Sequence, residues 1–163
     1  MLLIINGLLS IVLLGLVAFL WLNCSKKDIV YIDNIQLFEG FNMSKDLQKI
    51  NSQKLTAGKK KMDSLFNIYS IFREQKNEEK TKELSTQLRL QDQELRQMKE
   101  VLAQELNQKV WKRLNQYVKE YAENKKYQIV LGTQGNGNVM FGKEQVDITE
   151  DILIYVNNKY EGN

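Results

Sequence analysis

The sequence contains no proline, no histidine and a single cysteine. Each absence excludes something. Without proline, no position is forced to break a long helix or a central strand. Without histidine, the commonest general base and the commonest transition-metal ligand are missing together. One cysteine supports neither a disulfide framework nor a Cys-rich zinc site. The composition points away from catalysis, and no catalytic, cofactor-binding or metal-ligating residue is expected. The one stretch that looks like a ligand loop is GTQGNGN at 132–138. A phosphate loop needs a helix straight after it and a Lys-Ser/Thr pair, and this stretch has neither. It reads instead as a hairpin turn with positive φ at Gly and Asn.

What is present suits one folded domain. The chain has 163 residues, 43% of them hydrophobic, and its charges are mixed in sign. The net charge of +3 conceals an asymmetry. Residues 42–126 hold 19 Lys+Arg against 12 Asp+Glu, which leaves +7, whereas the remainder holds 4 against 8. A basic middle with an acidic remainder suits an anionic or polar partner, although a solvated helix surface produces the same count.

Residues 1–23 carry no charge, and 8–22 are nearly all Leu, Ile, Val, Ala or Phe. About 20 apolar residues at 1.5 Å rise cross a bilayer's hydrocarbon core, so a transmembrane anchor is expected over 1–24. Trp21 suits the interface, and Lys26 and Lys27 end the run. A cleaved secretory signal lacks its basic start here, and a lipoprotein signal at Cys24 lacks the small residue before the cysteine; both stay open as alternatives. The two lysines after the span favour a cytoplasmic C-terminal part.

Residues 28–33 (DIVYID) read as a strand with apolar side chains on both faces, hence buried on both. Asn34 is placed to cap a short helix that Gly40 ends. Asn42 or Ser44 then caps a much longer one. Leu47, Ile50, Ala57, Met62, Leu65, Tyr69 and Phe72 form one helical stripe, and Leu84 to Tyr121 a second. Between them 73–83 (REQKNEEKTKE) has no apolar residue and reads as the tip of a hairpin that buries one stripe on the other. Lys54, Lys61 and Gln91 interrupt the stripes. After residue 126 the period becomes two: 127–131 (YQIVL) and 138–141 (NVMF) read as a strand pair, and Thr149 as the cap of a final amphipathic helix packing through Ile152, Leu153, Val156 and Tyr160.

The expected fold class is α+β: a small β-body (28–41 and 127–163) with a long protruding antiparallel α-helical coiled-coil hairpin (42–126). The body alone is too small for a secure core, which points to an oligomer. Trimer contacts are expected through Ile29, Tyr31, Ile129, Leu131, Val139 and Phe141. Lys59, Lys60 and Lys61 are the densest basic run, suited to phosphate, lipid headgroups or an acidic client, with a solvated helix face as the simpler account. No aromatics interleave them, so nucleic acid is not an expected partner. Trp111 falls off the main stripe, free to meet a subunit or a client.

The segments IVYIDNIQLFEGFNMSKDLQ (29–48) and YAENKKYQIVLGTQGNGNVMFGKEQVDITEDILIYVNNKY (121–160) resemble the two ends of Skp/OmpH-family periplasmic chaperones. The resemblance implies a jellyfish-like homotrimer whose arms, with Lys59, Lys60, Lys61 and Trp111 as candidate contacts, hold unfolded outer-membrane β-barrel proteins against aggregation, without ATP, cofactor or enzymatic activity. It also implies a periplasmic domain at 25–163, here tethered to the inner membrane by residues 1–23. The competing expectation is a membrane-tethered coiled-coil scaffold that organises a fixed envelope complex.

Overall fold

A computed structural model describes residues 7, 12–19, 29–134, 137 and 139–162. Residues 12–19 are helical. The rest of the expected anchor, with Trp21, Cys24, Lys26 and Lys27, lies outside the described residues. Among the described residues no helix is long and apolar enough to cross a membrane.

The chain enters through strand β1 (Ile29–Asp33) and passes at once into helix α1 (Asn34–Gly40). The Asp33 side chain accepts hydrogen bonds from the Ile35 and Gln36 backbone N–H groups, at 2.8 and 3.0 Å. Asp33, not Asn34, is therefore the cap, since Asp33 still has extended backbone and its carboxylate reaches the free N–H groups of the first turn. Asp33→Ala is expected to lower stability by about 1 kcal/mol. Asn34→Ala should cost clearly less, and urea denaturation of the two variants side by side checks the assignment.

Helices α2 (Asn42–Glu74) and α3 (Glu78–Lys125) form the hairpin. Neither Asn42 nor Ser44 caps α2 with its side chain. Asn157, far along the chain, accepts from the Asn42 backbone N–H (2.8 Å) and donates to the Gly40 carbonyl (3.2 Å). One amide thus serves the end of α1 and the start of α2 together, satisfying groups that a helix leaves open at its ends. At the tip Lys76 takes a left-handed conformation (φ 55°), and Asn77 caps α3 by accepting from the Lys80 N–H (3.0 Å). Glu78 and Glu79 fill the first turn, where negative charge is favoured.

The seam of the hairpin is not the stripe expected from hydrophobicity. Half-buried Leu55, Gly58, Met62, Leu65, Tyr69 and Phe72 alternate at three and four residues, while Ile50 and Ala57 are exposed one position earlier. Lys54 and Lys61 consequently do not interrupt the seam; they lie beside it. Register is set by contact with α3. A Cβ on Gly58 would stand 2.8 Å from Leu95 Cδ1, and the Asn51 amide donates to the Leu102 carbonyl at 3.2 Å. Gln91 does occupy a seam position: it is half-buried, and the register places it level with Met62.

The two helices differ in length, 33 residues against 48, or roughly 50 and 72 Å at 1.5 Å per residue. The surplus of α3 enters the body. There Val110 and Leu114 are fully buried, with Tyr117 and Tyr121, against Val30, Leu37, Phe41, Ile148, Ile152 and Val156. The aromatic residues of the two stripes thus divide: Tyr69 and Phe72 belong to the seam, Tyr117 and Tyr121 to the body core.

Strand β2 (Ile129–Thr133) pairs with β1 in parallel, Ile29 opposite Ile129 through Asp33 opposite Thr133. The pairing is parallel because the whole hairpin is the crossover between the strands. No hairpin strand forms at 139–141: β2 runs on through Gly132 and Thr133, and the later segment is irregular. The other edge of β1 receives Asp147, and the Ile148 N–H donates to the Tyr31 carbonyl (3.0 Å). A 3-10 turn (Glu144–Val146) leads to helix α4 (Thr149–Glu161). Asp147, not Thr149, serves its start, accepting from the Thr149 N–H (2.9 Å) and hydroxyl (2.6 Å). The Thr149 hydroxyl is occupied elsewhere as acceptor for the Asp33 N–H (2.9 Å), and so ties α4 to β1.

Candidate functional site

Two surfaces carry chemistry that the fold does not use. The first is on the body. Val30 and Ile32 face the core, so β1 is buried on one side only. Ile29 on the other side is 54% exposed, and among the described residues no helix or strand covers it. By strand register Ile29 and Tyr31 stand beside Ile129 and Leu131, which are also exposed. Four of the six residues expected at a trimer contact therefore share one face. Val139 is half-buried, and Phe141 is 83% exposed on the irregular segment that follows β2. That segment is fixed at its end by Gly142, where a Cβ would lie 2.3 Å from the Tyr31 ring. Only glycine lets the backbone lie that close to the tyrosine.

The second surface is one face of the hairpin. Ile50, Ala57, Ile68 and Ile71 each precede a seam residue of α2 by one position, as Leu90 and Val101 do on α3. In an antiparallel pair these one-before positions fall on the same side of the seam. A groove of about 400 Å³ confirms this, with Ile68 and Ser64 on one lip and Leu90 and Gln87 on the other. Lys61 and Glu94 stand at its margin. All six apolar side chains on this face are exposed. The one-after positions are mostly charged or polar, among them Lys59, Asp63, Arg89, Asp92 and Arg96 with Ser52, Thr56 and Ser85, and Phe66 and Ala103 are the apolar exceptions. The arm thus has an apolar-enriched face and a charged face.

The candidate client contacts are not brought together. Lys59, Lys60 and Lys61 are all exposed, but successive helical residues point 100° apart, so only Lys61 reaches the apolar face. Trp111 lies at the body end, half-buried and packed on Phe38 with ring centroids 5.5 Å apart. Counting from Gly58 opposite Leu95, it is about 28 Å along α3 from the level of Lys61. It lines a cleft of about 370 Å³ with Ile32, Leu37, Val118, Val130 and Gln134. Sequence reasoning missed the apolar face itself. Its signal is present as the recurrent apolar residues at 50, 57, 68 and 71, of which the expected stripe takes in Ile50 and Ala57 and leaves Ile68 and Ile71 without a role.

Charges on the arm pair locally and are exposed: Lys80 with Glu83 (2.9 Å), Lys109 with Glu105 (3.0 Å) and Arg96 with Asp92. Among the described residues no cluster of His, Cys, Asp and Glu could hold a metal. The resolved shifts that bear on the body are on tyrosines. Burial raises Tyr31, with Asp147 adding to it, and raises Tyr121, with Asp151 next. Burial also raises Tyr160, assisted by its hydrogen bond to Asp46 (3.1 Å). A folded-state value above the unfolded one means that the contribution is complete below the ordinary tyrosine value and is lost as pH rises through the folded one. Stability is thus expected to fall above about pH 10. Urea midpoints taken across pH should show a shallower alkaline fall in the triple variant Tyr31→Phe, Tyr121→Phe, Tyr160→Phe.

Comparison with known proteins adds the following. No curated protein matches the chain. Among solved structures, an OmpH-like protein from Caulobacter crescentus is similar at 12% identity and a TM-score of 0.48, over 81% of this chain and 85% of that one. The family described as outer membrane protein (OmpH-like) matches residues 28–155. That match spans β1, the whole hairpin, β2 and most of α4, and the chain belongs to the OmpH-like family.

Proposed function

We propose that this protein is an ATP-independent holdase that binds unfolded outer-membrane β-barrel proteins in the periplasm and keeps them from aggregating. The observation that carries the reading is the unpartnered apolar face of an otherwise solvated arm. A long coiled coil that only spaced two points apart would need its seam and nothing more. Here Ile68, Ile71 and Leu90 stand in water beside Lys61 and Glu94, in a shallow groove and not in a closed pocket. Scattered apolar contacts with mixed polar margins hold an extended chain weakly at many points, and several such points give useful retention without folding the client. Family membership supports the general chaperone role and the periplasmic setting.

In this reading residues 1–24 tether the domain 25–163 to the inner membrane, with the body at 28–41 and 127–163 and the arm at 42–126. Three copies assemble through the exposed body face of Ile29, Tyr31, Ile129 and Leu131, joined by Val139 and Phe141. The arms then surround the client, and Lys61 is the one of the three adjacent lysines that meets it. The basic arm attracts acidic clients at long range.

The test dilutes a urea-unfolded outer-membrane barrel protein into full-length chain reconstituted in lipid nanodiscs, and follows light scattering. Suppressed scattering with no ATP present, and no binding of the folded barrel, is the expected result. Unchanged aggregation, or saturable binding to one folded envelope protein only, would favour the fixed scaffold.

A further inference from the structure

Where α3 reaches the body it carries an indole between two carboxamides. Asn107, Trp111 and Asn115 follow at four-residue intervals, so they share one face of the helix, each about 6 Å from the next. Two adjoining clefts meet at Trp111, which lines both. The one of about 370 Å³ takes in Asn115, and the other, of about 160 Å³, takes in Asn107. Asn34, at the start of α1, and Gln134, just past β2, also line both. Asn34 rests on the strand backbone: a Cβ on Gly132 would lie 2.6 Å from its amide nitrogen and from its amide oxygen, so glycine there leaves the amide its place.

The chemistry of this two-lobed cleft is defined by what it offers and what it lacks. Among the described residues, none of the four side-chain amides forms a hydrogen bond within the chain. Each keeps its N–H donors and its carbonyl acceptor for a ligand. Glu39 is the one charged side chain among the described residues of the lining, which gives a phosphate or carboxylate no cation to pair with. Ile32, Leu37, Val118 and Val130 make one end of the larger lobe apolar. A sugar ring meets these terms. Its C–H groups form an apolar face that stacks on the electron-rich face of an indole. Its hydroxyls both donate and accept, as a carboxamide does through its two ends. An acetamido substituent adds a planar amide to pair with and a methyl group for the apolar end.

We propose that the Trp111 cleft binds an uncharged oligosaccharide of N-acetylated hexosamine. One ring stacks on Trp111, and the Asn107 and Asn115 amides reach the hydroxyls to either side of it. The acetamido methyl enters the apolar end of the larger lobe, and Asn34 and Gln134 hold the opposite edge. Ile32 and Val130 place this cleft on the other side of the sheet from Ile29, Ile129 and Leu131. It also stands apart from the groove of the arm, so it is independent of how the arm treats a client.

The experiment titrates the full chain in nanodiscs with chitotetraose, the uncharged tetramer of N-acetylglucosamine, and follows saturation transfer from protein to sugar. The expected result is transfer strongest at the acetamido methyl protons, with half-saturation on the order of 1 mM for so open a site. Asn107→Ala combined with Asn115→Ala changes two exposed side chains that have no hydrogen-bond partner in the chain. Binding should weaken about tenfold or more, with far-ultraviolet circular dichroism and the suppression of client aggregation unchanged. Trp111→Leu, which keeps an apolar contact with Phe38, should remove the transfer. Maltotetraose, whose rings carry no acetamido group, should bind at least about tenfold more weakly than chitotetraose, and equal binding overturns the acetamido match. No transfer at about 10 mM chitotetraose, or transfer that survives both variants, overturns the site. If a peptide from an unfolded barrel protein receives transfer that Trp111→Leu removes, and the sugar receives none, the cleft belongs to the client and the proposal fails.

Discussion

Leu114→Ala is expected to lower the stability of the body by about 2–5 kcal/mol, the range for removing a fully buried leucine whose surroundings cannot collapse into the gap. Leu114 is 0% exposed, and it sits on α3 where the helix leaves the arm and enters the core. Val110 lies one turn before it and Tyr117 one turn after, each buried. The neighbours that would have to move are held by the sheet on one side and by α4 on the other. Urea denaturation followed by the fluorescence of Trp111 measures the loss directly. The contrast is Arg96→Ala, which removes an exposed i,i+4 ion pair with Asp92 and should cost no more than about 0.5 kcal/mol. A loss below about 1 kcal/mol at Leu114 would mean that α3 is not the centre of the body core.

The largest functional effect is expected from Ile68→Asp combined with Leu90→Asp. Both residues are about half exposed on opposite lips of the same groove, so the folded arm loses little when they change. Burying an Ile or Leu side chain against a client is worth about 1.5–3 kcal/mol if burial is complete. Partial burial at two points still amounts to about tenfold in retention. The measurement is the concentration of chaperone that halves aggregation of an unfolded barrel client, taken beside the thermal midpoint. The expected outcome is a tenfold rise in the first with the second unchanged. Substituting Arg89 and Asp92 on the charged face should alter neither quantity by more than a factor of two. If the two faces respond alike, the arm does not hold its client by its apolar side.

Most of the architecture was legible because it follows from local chemistry. The apolar-free segment at 73–83 placed the hairpin tip, where the turn falls at residues 75–77. The change of period after residue 126 located β2, and Ile152 and Val156 located the face of α4. What escaped was set by distant partners. The α2 seam runs through Asn51 and Gly58, which hydrophobicity ranks below Ile50 and Ala57. The Leu102 carbonyl and the Leu95 side chain decide that register from the facing helix. The start of α2 is served by an amide of α4 at Asn157, which no local capping rule can find. Asp33 was missed by a single residue, since both it and its neighbour are good caps. Residues 138–141 had the alternation of a strand, but alternation states which faces are apolar and not which edge is available. For the candidate surfaces, the residues of the exposed body face were legible as strand residues, since apolar side chains recur at a spacing of two at 29 and 31 and at 129 and 131. The arm face was not legible, because Ile50 and Ala57 fit the expected stripe and Ile68 and Ile71 stand outside it.

The parallel register of β1 with β2 has a consequence for how the chain reaches its structure. Ile29 and Ile129 are adjacent in space and a hundred positions apart in sequence. Closing a loop of that length through disordered chain is entropically costly and slow. The hairpin removes the difficulty, since its contacts are local at the tip and can close one layer at a time toward the root. Each layer shortens the distance that the two strands must still find, and the last one delivers them side by side. During synthesis β1 and α1 have no core until α3 is nearly finished, so the arm is the first part able to fold and the body the last. The device proposed to hold other unfolded chains is, in its own chain, the one that brings the ends together.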